Sequence, residues 1–270
     1  MVQTAFDESE RRAWAGQADA YAASFAKLCA YPVPELLDAA GVREGVRVLD
    51  AGTGTGTAAA LACERRAKMT AVDAEPAMVA RAATAVPEAD VRLAALPRLP
   101  FADDAFDAVV GNFLLNHVGR PRQALAELRR VTRPGGRIAV TIWAVPTAAG
   151  QALLGRAVQA AGVTRPAHLP ALAPADDFPR TERGFAALLE EARLTNVGCE
   201  TLTWDHRTTC EEWWSGPAAG VATIGRIVTS QVPAVVAEIK MHFESLCAEF
   251  ADPDGVLVLP HAALMAHGQV

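Results

Sequence analysis

The chain has 270 residues, of which 51% are hydrophobic and 21% charged, with a net charge of −6. That much apolar material excludes a disordered chain. The acidic balance argues against nucleic-acid binding, whose affinity rests on phosphate contacts. The five cysteines (Cys29, Cys63, Cys199, Cys210, Cys247) are scattered and contain no C-x-x-C pair, which speaks against a disulfide framework or a zinc site. The start, MVQTAFDESERR, is polar and lacks the apolar run of a secretory leader. The uncharged stretch 138–155 is interrupted by Pro146 and Gly150 and does not read as a membrane span. A cytoplasmic protein with reduced thiols is the expectation.

Along the chain, Trp14, Ala18, Tyr21, Phe25 and Leu28 recur at helical spacing. Pro32 and Pro34 interrupt, and a short helix over 35–40 ends at Gly41. The pattern then changes to short apolar runs at 46–49, 69–72, 91–93, 106–110 and 137–142, which read as strands. Helical segments at 58–66, 76–85 and 121–131 lie between them. Such alternation means parallel βαβ units, and continuous apolar strands mean a sheet covered on both faces. Residues 144–180 hold five prolines and show no strong periodicity. A helix opens at Thr181, a strand covers 196–204, and 208–232 is mixed. Val236, Ile239, Phe243, Leu246 and Phe250 mark an amphipathic helix, and Val256–Leu259 a last strand.

The most informative segment is Val48-Leu49-Asp50-Ala51-Gly52-Thr53-Gly54-Thr55-Gly56, a strand feeding a glycine turn that feeds a helix. A phosphate-cradling P-loop needs G-K-[S/T] after four residues that follow its first glycine, and none is present. A dinucleotide loop needs G-x-G-x-x-G, but the last position is Thr57, which disfavours a nicotinamide dehydrogenase. The second strand ends in Asp73, an acid placed to take ribose hydroxyls; the plain alternative is a helix cap.

Together these residues resemble the class I S-adenosylmethionine-dependent methyltransferases, and among them the small-molecule enzymes of bacterial natural-product tailoring. VLDAGTGTG, AVDAEPAM, LPFADDAFDAVV and RVTRPGG are similar to four ordered motifs of that family. The resemblance covers residues 14–143 and, more weakly, the rest. It implies a doubly wound, Rossmann-like sheet of seven strands, parallel except for one antiparallel strand. The whole of 1–270 would be one methyltransferase domain. Residues 1–41 would form a helical lid, 42–143 the cofactor core, 144–180 and 208–250 the cap, and 181–204 and 251–270 the rest of the sheet.

The resemblance also implies S-adenosylmethionine as cofactor, S-adenosylhomocysteine as product, and no metal. Gly52, Thr53, Gly54 and Gly56 would approach its methionine part and Asp50 would help hold its amino group, directly or through water. Asp73 would bind the ribose, with Ala74 and Met78 against the adenine. Asn112, Phe113 and His117 would line the methionine side, and Tyr21 would close over the cofactor. One departure stands out. Many relatives carry Gly-Asp before the L-P-F segment, and here those positions are Ala94 and Ala95. The adenine would then rest on backbone near Ala95 and Leu96.

The implied reaction is methyl transfer to a small, largely apolar metabolite, with oxygen favoured over nitrogen or carbon, in secondary metabolism such as antibiotic biosynthesis. The rival is a protein of this fold that binds the cofactor but catalyses a cyclisation or rearrangement. The expected partners are a small acceptor, with neither nucleic acid nor membrane, in a monomer or homodimer. His117 is the first candidate for a proton acceptor or a pocket wall, and His206 the second. His168, His242, His261 and His267 form no constellation. Asp103, Asp104 and Asp107 precede the fourth strand and read as a solvated turn, not a metal site. Trp143, Trp213 and Trp214 are expected walls of an apolar acceptor pocket.

Overall fold

The computed structural model describes residues 4–270. Four short helices come first: α1 (Ala5–Trp14), α2 (Ala18–Ala23), α3 (Ala26–Ala30) and α4 (Val33–Ala39). Thr4 and Asp7 form a reciprocal capping box, so α1 begins well before Trp14, where the apolar spacing begins. The chain breaks after α1 at Gly16, whose φ is +71°. Pro32 and Pro34 stand at the start of α4 and begin it, where the sequence reading has them interrupt.

The βα units follow as β1 (Arg47–Ala51), α5 (Thr57–Glu64), β2 (Lys68–Asp73), α6 (Pro76–Ala85), β3 (Asp90–Leu93), β4 (Phe106–Gly111), α7 (Pro121–Val131) and β5 (Thr132–Trp143). The later chain gives α8 (Ala149–Ala160), α9 (Glu182–Glu191), β6 (Thr195–Thr208), α10 (Cys210–Ala218), α11 (Ala222–Thr229), α12 (Pro233–Cys247) and β7 (Leu257–Gln269). The strands form one seven-stranded sheet in the order β3-β2-β1-β4-β5-β7-β6. β7 runs antiparallel to both of its neighbours, and the other pairs are parallel.

Neighbouring strand residues serve opposite faces, as the two-residue period requires. Val48, Ala108, Val110, Ala139 and Met265 pack with α4 and α5. Leu49, Val109, Ile138, Val140 and Leu264 pack with α7 and α9. A third apolar cluster joins Phe25 and Leu28 of the N-terminal helices to Leu153, Trp213, Trp214, Ile239 and Phe243 of the later ones.

Three sequence readings need correction. Residues 144–180 contain a twelve-residue helix, α8, whose alanines and two glycines blur its periodicity while Leu153, Leu154, Ala157 and Val158 are buried. Residues 208–232 hold two helices, α10 and α11. The last strand continues past Leu259 to Gln269, because β5 and β6 flank it on both sides and supply its ladder. The acidic turn lies at the opposite end of the sheet from the glycine loop, where Asp107 pairs with Arg47 and Arg133, and Asp103 pairs with Arg130. Cys210 and Cys247, far apart in sequence, meet with their Sγ atoms 3.0 Å apart. Among the described residues, no helix is long and apolar enough to cross a membrane.

Candidate functional site

The strand order reverses between the parallel neighbours β1 and β4, which places the carboxyl ends of β1, β2, β4 and β5 around one crevice. A cavity of about 480 Å³ occupies it. Its floor is the loop after β1. Val72 O accepts from Gly52 N and Thr53 N (2.9 and 3.0 Å), so the loop folds over the end of β2. Gly52 has φ +72°, and a Cβ there would meet Leu114 Cδ1 at 2.7 Å. Gly56 has φ +92° and starts α5, with Val86 and Ala82 filling the direction a Cβ would take.

Asp73, at the tip of β2, accepts Gly54 N at 2.8 Å and Glu75 N at 3.0 Å. It is not the cap of α6; that role falls to Glu75, whose side chain accepts Ala77 N. Burial raises the Asp73 carboxyl, and the surrounding backbone N–H groups oppose the rise. Asp50 lies beneath the loop, 1% exposed. One of its oxygens accepts the Thr53 hydroxyl at 2.6 Å, and Oδ1 has no partner. Burial pushes its carboxyl up to about 7.

β4 ends in a turn held by a single hydroxyl. Thr141 Oγ1 donates to Asn112 Oδ1 at 2.7 Å and accepts Phe113 N at 2.8 Å. Asn112 Nδ2 in turn donates to Cys29 O at 2.7 Å, which ties α3 to the strand end. Phe113 stacks on Trp143, ring centroids 4.0 Å apart. The 3₁₀ turn Leu114–His117 then brings His117 to the cavity. Tyr21 covers the loop from the far side, its ring edge 3.7 Å from where a Gly54 Cβ would stand. Burial raises the Tyr21 phenol well above its ordinary range.

The structure therefore gathers most of the residues singled out in the sequence. Tyr21, Gly52, Gly54, Asp73, Ala74, Met78, Ala95, Leu96, Asn112, Phe113 and His117 all line the cavity. Trp143 and Trp213 join them. Asp50, Thr53 and Gly56 do not; they support the loop from below or behind. Trp214 is corrected from pocket wall to core, since it packs on Phe243 at 5.4 Å. His206 is corrected as well: it is 3% exposed and packed against Trp213 and His261, and burial lowers its pKa. The cavity wall includes His261 in its place. His261 Nδ1–H donates to Leu259 O at 2.8 Å, and burial lowers the ring to about 4, so it stays neutral. The sequence reading sets His261 aside as part of no constellation, because its strand reads as ending at Leu259. Glu10 and Trp14 also line the cavity, and their spacing with Asp7 and Arg11 was the available signal.

The residues fit the implied cofactor. The unpaired Asp50 oxygen beneath the loop would take an ammonium group through a bridging water, Asp73 offers acceptors for hydroxyls, and Ala74, Met78, Ala95, Leu96 and Leu99 make an apolar sleeve for a base. Ala94 N already donates to Asp73 O, and Ala95 O already accepts Arg98 N. Among the described residues, no group of three or more His, Cys, Asp or Glu side chains is placed to hold a metal ion.

Comparison with known proteins agrees with this geometry. Residues 49–140 match the family described as "Methyltransferase domain". The chain is 38% identical over 176 residues to a demethylmenaquinone methyltransferase of Beutenbergia cavernae, covering 62% of this chain and 73% of that one. Among solved structures, the YcgJ protein of Bacillus subtilis superposes with a TM-score of 0.55 at 19% identity, over 88% of this chain and 97% of its own. The [4+2]-cyclase SpnF gives 0.50 at 19% identity, over 91% of this chain and 82% of its own. At such identities the likeness is one of fold.

Proposed function

Since this chain belongs to the class I S-adenosylmethionine-dependent methyltransferases, we propose that it methylates a small, largely apolar acceptor bound beside Trp143. The observation that carries the proposal is one continuous cavity whose wall brings together the glycine loop, Asp73, aromatic rings and His117. When bound, S-adenosylmethionine supplies a methyl group already activated on a sulfonium, so alignment provides much of the acceleration. Asp50 would hold the amino group, Gly52 and Gly54 the methionine part, Asp73 the ribose, and Ala74, Met78 and Leu96 the adenine. Phe113, Trp143 and Trp213 would grip a flat apolar acceptor and exclude water.

Oxygen is the acceptor atom we favour, because a hydroxyl needs a base and His117 stands on the cavity wall. A tailoring step of secondary metabolism, antibiotic biosynthesis included, is the setting we propose. The demethylmenaquinone for which the Beutenbergia relative is named is the rival acceptor. The test is calorimetric titration with S-adenosylmethionine and S-adenosylhomocysteine, followed by transfer of a labelled methyl group to a panel of phenols, amines and demethylmenaquinone. Absence of binding at millimolar cofactor overturns the proposal. Binding with no labelled product would move the reading to a non-methylating reaction on the fold shared with the cyclase.

A further inference from the structure

One face of α1 forms a wall of the cavity. Asp7, Glu10, Arg11 and Trp14 all line it, at the three-, four- and seven-residue spacings that share a helix face. Glu10 is 15% exposed, and its Oε2 lies 2.6 Å from His117 Nδ1. A carboxylate brings no proton to that contact, so the hydrogen sits on Nδ1 and Nδ1–H donates to Glu10. This contact favours the Nδ1–H tautomer, in which Nε2 keeps its lone pair. Among the described residues, Nε2 has no hydrogen-bond partner. The Trp14 indole stands perpendicular to the imidazole, centroids 5.2 Å apart, and its Nε1–H lies 3.3 Å from the same Nδ1. An indole N–H can only donate, so it competes with Nδ1–H for that edge, and the 2.6 Å carboxylate contact is the shorter of the two.

The helix that carries Glu10 is itself anchored. Asp7 Oδ1 accepts Gly119 N at 2.6 Å, two residues beyond His117. A Cβ on Gly119 would fall 2.0 Å from Thr4 Oγ1, so α1 sits directly on that turn. Arg226 of α11 donates to Ser9 O at 3.2 Å. The carboxylate is thus presented by a fixed helix and not by a free side chain on a loop.

We propose that Glu10 is a positioning residue that holds His117 as the general base, and that the base is set only while α1 is docked. This rests on the methyl-transfer reading above. As the acceptor oxygen bonds the methyl carbon, its hydroxyl proton passes to His117 Nε2, and the carbon–sulfur electron pair remains on sulfur. The imidazolium that results is neutralised by Glu10.

Nitrogen NMR on the full chain in mildly alkaline buffer tests the tautomer without any turnover. The expected result is a protonated His117 Nδ1 and a bare Nε2, with the preference lost in Glu10→Gln. In turnover, Glu10→Gln should lower kcat about 100-fold while the Kd for S-adenosylhomocysteine changes less than about threefold, the split expected when only the base is lost. His117→Gln should lose as much, and the double variant no more than either single one, because the two act as a unit. Glu10→Asp should recover part of kcat, which a general packing defect would not allow. Wild-type kcat in Glu10→Gln overturns the proposal, and so does an Nε2–H tautomer in the wild type. If the tautomer is as stated but no acceptor is methylated, the functional reading and the base role fail together. If methylation proceeds with the opposite tautomer, Glu10 alone is wrongly assigned.

Discussion

The Asp50 carboxyl ties stability to cofactor recognition, and the link is measurable through pH. Asp50 is buried, keeps one oxygen unpaired, and its carboxyl is pushed from 3.8 up to about 7. An acid raised in this way keeps its proton in the folded chain at a pH where the unfolded chain has released it. Its stabilising contribution is therefore full below the unfolded value and is lost as pH rises through 7. For this shift the loss between pH 5 and pH 8 comes to about 2–3 kcal/mol. Asp50→Asn cannot ionise and escapes that loss. The fixed cost of burying its amide is equal at both pH values and drops out of the difference. The Tm of the variant relative to wild type should therefore rise by about 5–10 °C between pH 5 and pH 8. Scanning calorimetry on both proteins in matched buffers checks it. Parallel Tm curves would refute the reasoning, since they would mean that Asp50 is not held neutral. Above pH 7, where the wild-type carboxyl is charged, the same substitution should weaken S-adenosylhomocysteine binding about tenfold or more, through loss of that charge beneath the loop.

Three further outcomes are expected. Asp73→Asn turns one of two acceptor oxygens into a donor facing Gly54 N or Glu75 N; calorimetry should show a Kd for S-adenosylhomocysteine at least about tenfold higher, and an unchanged Kd would remove Asp73 from the ribose. Trp143→Ala deletes the ring stacked on Phe113, so the acceptor KM should rise while the cofactor Kd holds; equal losses in both would put Trp143 on the cofactor. Gly56→Ala forces φ +92° on a residue whose Cβ meets Val86 at 3.2 Å, at a cost of about 2 kcal/mol, or a Tm lower by about 4–8 °C. An unmoved Tm would show that the loop can relax.

Much of this site was legible because its chemistry sits where backbone geometry demands particular residues. The glycine turn after Asp50, and the prolines that open α6 and α7, mark strand and helix ends by steric necessity, and both helices have the bounds read from the sequence. Trp213 and Trp214 were beyond such reasoning. Adjacent helix positions point about 100° apart, and only the packing of α10 decides which ring faces the cavity. Glu10 escaped because helical periodicity is visible in apolar residues, while the face of α1 that matters carries Asp7, Glu10 and Arg11. His261 escaped because His-Ala-Ala-Leu-Met-Ala has little strand preference of its own; its two neighbours in the sheet impose the conformation.

The ladder between β6 and β7 continues beyond the last pairing of β7 with β5. β5 releases β7 at Trp143↔Ala263, whereas β6 follows it out to Thr208↔Leu257. The chain between those last partners, residues 209–256, holds α10, α11 and α12. It leaves and returns through two hydrogen-bonded neighbours, the arrangement in which an insertion disturbs its host least. Those three helices form an exchangeable cassette. A different one could be spliced at Thr208 and Leu257 with every rung of the sheet intact, provided that it again offers apolar side chains where Trp213, Ile239 and Phe243 now face Phe25 and Leu153. Under the proposed reading, acceptor preference would then diversify by replacing a single segment, while the glycine loop, Asp73 and His117 stay as they are.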